Sequence, residues 1–284
     1  MLKRRLWGLL RRMCRGGLAA ALAMQVCAPA QAAPAAAASV QLEELTSAEL
    51  SHLIAAGTTT VLVPIGGTEQ NGPHMVLGKH NVRAKVLATR IALELGLTVV
   101  APVMAYVPEG EINPPQAHMR WAGTLSISDA TFEALLDATA RSLRQHGFRV
   151  VVLLGDHGGY QRSLERVAAR LNRAWAAGKP AVTSRVLALT DYYRVTQADY
   201  VAALKARGFT PAEIGSHAGL ADTALALAAA PALVRDGLAD RTLPTAADGV
   251  LGDPRRATRE LGELGLQLIV QRSVAAIRAY AGGH

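Results

Sequence analysis

Cysteine is nearly missing from this sequence, aromatic residues are few, and no acidic residue appears before Glu43. The two cysteines, Cys14 and Cys27, both fall within the first 32 residues. If that segment is a leader, the remaining chain has no disulfide framework, no thiolate metal ligand and no cysteine nucleophile. Phe, Trp and Tyr supply 4% of the residues while half of all residues are hydrophobic, so the expected core is aliphatic. That apolar content suffices for a sizeable core and argues against a disordered chain. The formal charge of +8 is unevenly placed. Lys3, Arg4, Arg5, Arg11, Arg12 and Arg15 precede every acid, and without them 24 basic residues face 22 acidic ones. So even a balance gives no electrostatic reason to expect nucleic-acid binding.

Several catalytic motifs are also missing. Gly215-Ser216-His217-Ala218-Gly219 sets its serine one place too early for a nucleophile elbow. Neither a phosphate-binding Gly-x-x-x-x-Gly-Lys-Ser/Thr loop nor a Gly-x-Gly-x-x-Gly turn after a strand occurs.

What is present begins with a basic stretch to Arg15 and an apolar run over 16–28 broken by Gln25, followed by Ala30-Gln31-Ala32. This pattern predicts a secretory signal peptide over 1–32, cut after Ala32, and a periplasmic or secreted protein. The run falls short of the roughly 18–20 residues of a membrane span, so no stable membrane anchor is expected. An unstructured spacer over 33–40 and a single domain over 41–284 follow.

Within that domain helix and strand patterns alternate. Strands are expected at 58–65, 97–103, 148–154 and 182–189, each apolar and β-branched enough to be buried on both faces. Helices are expected at 47–56, 81–94, 128–146, 160–177, 197–207, 220–230 and 257–280, with Ser47 and Ser128 as N-caps. Together they predict an α/β fold with a mostly parallel sheet covered on both sides, a three-layer αβα sandwich. Ligands of such sheets bind beyond the carboxyl ends of the strands. Those ends carry Gly66-Gly67-Thr68-Glu69-Gln70-Asn71-Gly72-Pro73-His74, Leu77-Gly78-Lys79-His80 and Gly155-Asp156-His157-Gly158-Gly159, with Ser216-His217-Ala218-Gly219 and Asp222-Thr223 further on. Imidazole and carboxylate together suit Zn²⁺, Mn²⁺ or Fe²⁺. Glu109 and Glu111, in the Pro-rich loop 108–115, read first as solvated loop charges, with a cover over the site or a contact to a basic substrate as the other reading.

These segments, with Ala117-His118-Met119-Arg120-Trp121-Ala122-Gly123-Thr124, resemble the four ordered motifs of the creatininase (creatinine amidohydrolase) family from about residue 60 to 230. The resemblance implies an αβα sandwich, often a homo-oligomer, that hydrolyses non-peptide C–N bonds with divalent metals. It implies Glu69 and His157 as ligands of one metal, and sets His80 where the family has a metal-bridging Asp. Asn71 stands where the family has a His ligand of the second metal, and Asp222 where it has a Glu. A neutral imidazole has one free lone pair and cannot bridge as a carboxylate does. Hence Glu69, His80 and His157 are expected to hold one ion per subunit, zinc first and manganese or iron as alternatives. Asp222 is left open as a fourth ligand, a residue orienting an imidazole, a general base or a helix cap. His217 matches the family histidine that gives a proton to the leaving nitrogen, a structural histidine being the other reading. His118 and Trp121 are expected against a small amide substrate, His74 as a loop brace, and Asp156 as a charge strengthening His157. Loss of two presumed ligands also fits an exported binding protein without turnover, and the two-His, one-carboxylate set fits iron-dependent oxygen chemistry.

Overall fold

A computed structural model of the chain describes residues 39–178, 184–238 and 242–282. The predicted leader over 1–32 and nearly all of the spacer lie outside the described residues.

Among the described residues four strands form one sheet: β1 (Thr60–Ile65), β2 (Thr98–Val100), β3 (Val150–Gly155) and β4 (Arg185–Ala188). Nine helices accompany them among the described residues: α1 (Ser47–Ala55), α2 (Lys79–Leu95), α3 (Asp129–Gln145), α4 (Gln161–Ala176), α5 (Thr190–Gln197), α6 (Asp199–Lys205), α7 (Pro211–Ile214), α8 (Leu220–Ala229) and α9 (Arg259–Gly282). All pairings are parallel and the strand order is β2-β1-β3-β4. Along a strand side chains alternate between faces, and the core divides accordingly. Leu62, Val100, Val152 and Leu154 pack with α2, α5, α8 and α9. Val61, Val63, Val99, Val151 and Leu153 pack with α3 and α4. The expected αβα sandwich is therefore the observed one.

The elements differ from expectation in a few places. The capping residue of α1 is Thr46, which accepts from Glu49 N–H while the Glu49 carboxylate accepts from Thr46. The expected helix 197–207 is α6, and α5, which precedes it and meets it at Ala198, is not among the expected helices. Helix α2 starts two residues earlier than expected, which moves Lys79 and His80 from the loop into its first turn.

Strand order places the functional loops. From β1 the chain crosses to one side through α2, and from β3 to the other side through α4. The loops leaving β1 and β3 therefore diverge from neighbouring strands, the arrangement that opens a crevice at the sheet's carboxyl edge. Tyr160 ties the two loops together. Its hydroxyl lies 2.9 and 2.6 Å from the carbonyls of Ile65 and Gly66 and accepts from His157 N–H at 3.1 Å.

Candidate metal centre

Glu69 is the hub of the crevice. Asn81, on α2, fixes its loop by accepting from Gly67 N–H (3.0 Å) and donating to Thr68 Oγ1 (3.2 Å). The Glu69 carboxylate is fully buried. Oε1 lies 2.8 Å from His80 Nε2 and 3.4 Å from Lys79 Nζ. Oε2 lies 3.2 Å from His118 Nε2 and 3.6 Å from His157 Nε2, and has no hydrogen-bond partner among the described residues. Burial opposes its charge, but Lys79 and then His80 prevail and hold the carboxyl well below its ordinary value.

Glu109 contradicts the reading of it as a solvated charge. It is 3% exposed, and neither carboxylate oxygen has a hydrogen-bond partner among the described residues. Burial, then the neighbouring Glu69 carboxylate, pushes its pKa up to about 9. Gly67 makes the approach possible: its φ is +151°, and a β-carbon there would sit 2.2 Å from Glu109 Oε1. Glu109 Oε2 lies 3.4 Å from His157 Nδ1. Glu69, Glu109, His118 and His157 each offer a ligand atom, all within 4.8 Å of one another. Burial depresses His157 to about 3 and also lowers His118, so both imidazoles are neutral near pH 7 and keep a lone pair.

His80 stands differently. Nε2 faces Glu69 and Nδ1 lies 2.6 Å from Asp156 Oδ2, so both ring nitrogens meet carboxylates. Burial and Lys79 oppose its protonation, yet the carboxylates prevail and its pKa is raised. Glu69 and His157 thus come together as expected, while His80 stands beside Glu69 with both nitrogens occupied. Asp156 was expected to serve His157 and instead serves His80, Arg83 (2.9 Å) and the Tyr192 hydroxyl (2.8 Å).

Asp222 receives Lys79 Nζ and Ala218 N–H (3.0 Å) on Oδ2 and Arg83 on Oδ1 (2.7 Å). Burial raises its pKa, but Lys79 and Arg83 outweigh that and hold it well below the ordinary range. A carboxylate held by two cations is a poor proton acceptor. Nor does it cap the following helix, whose N-cap is Gly219. Asn71 donates to the carbonyls of Glu69 and Val76, bracing the loop. His74 is buried beside the Thr223 hydroxyl at 3.1 Å.

His217 sits at the rim, with Nδ1 3.8 Å from Glu69 Oε1 and its ring 4.5 Å from that of His118. Burial and then Lys79 lower its pKa to about 4. Gln70 Nε2 lies 3.2 Å from His118 Nδ1 and 3.1 Å from His217 Nε2, and donates to the Gly249 carbonyl. Ala117 and Ala218, each adjacent to one of these histidines, have φ of 47° and 53°. That left-handed backbone costs a non-glycine residue on the order of 1 kcal/mol, so two site histidines hang on strained backbone. A cleft of about 760 Å³ opens over the group, with Lys79, His118, Trp121, His157, Tyr193 and His217 in its wall. Glu109, Lys79, Arg83, Gln70 and Tyr160 are the site residues that sequence reasoning missed.

The family model Creatininase (creatinine amidohydrolase) matches residues 43–277. The creatinine amidohydrolase of Pseudomonas putida is 30% identical over 258 residues, covering 84% of this chain and 96% of that protein. A mycofactocin precursor peptide peptidase of Mycolicibacterium smegmatis is 37% identical over 116 residues, 39% of this chain and 44% of its own length. Among solved structures, a manganese creatininase superposes with a TM-score of 0.66 at 28% identity, over 86% of this chain and 99% of that one. A mutant creatininase of Zn-Zn type superposes with a TM-score of 0.67 at the same identity and coverage.

Proposed function

The chain belongs to the creatininase (creatinine amidohydrolase) family, and we propose on that basis that it is a metal-dependent amidohydrolase cleaving a non-peptide C–N bond of a small cyclic or linear amide. One observation carries this reading. Two buried carboxylates, Glu69 and Glu109, face each other with unpartnered oxygens and two neutral imidazoles alongside. Buried acceptors lacking donors are costly, and a divalent cation answers all four groups at once. Their mixed N and O donors suit zinc or manganese.

The proposed ligand set is therefore Glu69, Glu109, His118 and His157. It departs from the expected Glu69, His80 and His157 because both nitrogens of His80 are taken by carboxylates, and Glu109 supplies the missing anionic donor. A cation in this seat supplies Lewis acidity, which polarises a carbonyl and makes hydroxide available near neutral pH. The chain supplies the rest. Trp121 and Tyr193 form cleft wall against which the substrate lies. His217, neutral at pH 7, accepts the proton of the attacking water and passes it to the leaving nitrogen. Asp222 takes no proton; it fixes Lys79 and Arg83.

The test is a screen of ion-loaded protein against lactams, formamides, ureido compounds and short peptides. Hydrolysis of an amide, abolished by a chelator and restored by Zn²⁺ or Mn²⁺, is expected. Turnover of peptides alone would overturn the non-peptide assignment. Binding without turnover of any class would favour the exported binding protein.

Glu109 makes a second expectation about pH. Its raised pKa means that the folded, ion-free protein keeps a proton that the unfolded chain releases above about 4.5. This group's contribution to stability is then present below about 4.5 and lost as pH rises towards about 9. Ion binding must expel that proton, so affinity should climb with pH up to about 9. Calorimetry at pH 7.5 in buffers of different ionisation enthalpy should show roughly one proton released per ion. A release of zero would remove Glu109 from the ligand set.

A further inference from the structure

Lys79 is 1% exposed, and its ammonium sits between Glu69 Oε1 at 3.4 Å and Asp222 Oδ2. Arg83, one turn further along α2 and 4% exposed, joins Asp222 to Asp156. His80 joins Asp156 back to Glu69. The six side chains close a ring in which carboxylates and cationic groups alternate: Glu69, Lys79, Asp222, Arg83, Asp156 and His80. Three carboxylates are matched there by Lys79, Arg83 and an imidazole held between two of them. Both oxygens of Asp222 and Oε1 of Glu69 are engaged by these cations. On the opposite side of the same Glu69 carboxylate, Oε2 and both oxygens of Glu109 have no hydrogen-bond partner among the described residues. Among the described residues, unpartnered carboxyl oxygens thus remain on one side of Glu69 only.

We propose that the Lys79 ammonium is the second cation of this centre, a fixed positive charge that occupies one side of Glu69 and leaves a seat for a single divalent ion on the other. The inference rests on the reading of Glu69, Glu109, His118 and His157 as that ion's seat. Glu69 then faces the ion through Oε2 and the ammonium through Oε1, and both charges border the same cleft. Unlike an ion, the ammonium cannot be chelated or exchanged. It is also held in place by Asp222, which explains why that carboxylate is spent on salt bridges.

Metal stoichiometry tests this without reference to turnover. The full-length protein is stripped with a chelator, reloaded with excess Mn²⁺, desalted and assayed by elemental analysis, alongside Lys79→Arg and Lys79→Ala. One ion per chain is expected for the wild type and for Lys79→Arg, and two for Lys79→Ala, where Glu69 and Asp222 lose their common partner. Added Mn²⁺ should raise the melting temperature of Lys79→Ala more than that of the wild type. Two ions in the wild type, or a single ion in a folded Lys79→Ala, would overturn the inference while leaving the metal-centre reading intact. No ion in the wild type would overturn that reading instead. If Lys79→Ala does not fold, Lys79→Gln keeps hydrogen bonds to both carboxylates without the charge. It too should bind two ions, and one would count against the proposal.

Discussion

Glu69→Gln is expected to lower ion affinity and chelator-sensitive hydrolysis each by at least a hundredfold. The substitution conserves shape and removes charge, so it separates electrostatics from packing. Glu69 contacts every part of the centre: His118 and His157 through Oε2, His80 and Lys79 through Oε1. In its place a neutral amide cannot balance a divalent ion, and its NH₂ would point at imidazoles or at the Lys79 ammonium. Loss of even an outer partner of a metal ligand costs about 10–100-fold, and Glu69 is proposed as a ligand itself. The measurement is ion binding by calorimetry, with folding confirmed by circular dichroism. Wild-type affinity in Glu69→Gln would show that the ion, if any, sits elsewhere.

How this centre reads from sequence depends on the range of the interaction. The sheet was legible because each strand is an uninterrupted apolar run flanked by helical patterns, and alternation alone allocates its side chains to two faces. Glu69 and His157 were legible because each follows a strand directly, in a glycine-bearing loop, and the strand order then brings the two loops side by side. Glu109 was not legible. It lies in a Pro-rich loop with another acid two residues away, the local signature of a solvated turn, and what buries it is Gly67 and Glu69 from a different strand end. Lys79 and Arg83 were missed for a related reason. They sit four residues apart on one face of α2, but basic residues on a helix ordinarily face water, and what draws them inward is Glu69 together with Asp222 and Asp156, the last two over 70 residues away. His80 was identified as a metal ligand by residue type. Its two carboxylate neighbours come from β1's loop and β3's loop, so its saturation is a property of the assembled rim. Helix α5, absent from the expected helices, shows the same limit, since its junction with α6 at Ala198 has no glycine or proline to announce it.

Asp222→Ala should carry a large stability cost. The change strips the common partner from Lys79 and Arg83, two cations that are 1% and 4% exposed. Removing one member of a buried ion pair leaves uncompensated charge and costs about 3–5 kcal/mol. For a domain of this size that corresponds to a melting temperature lower by about 10 °C. The sign of the pH dependence follows from the direction of the shift. Lys79 and Arg83 hold the Asp222 carboxyl well below its model-peptide value of 3.8, so its stabilisation is complete above about 4 and lost as pH falls further. The gap between wild type and variant should therefore be full at pH 7 and narrow in acid. Arg83→Met and Asp222→Ala should together cost less than the sum of the two alone, because both break the same ion pair, while Arg83→Met also takes a cation from Asp156. Urea unfolding of the wild type, both single variants and the double variant closes the cycle. A loss under about 1 kcal/mol for Asp222→Ala, the range of an exposed ion pair, would mean that the ring of charges is solvated and does not organise this rim of the sheet.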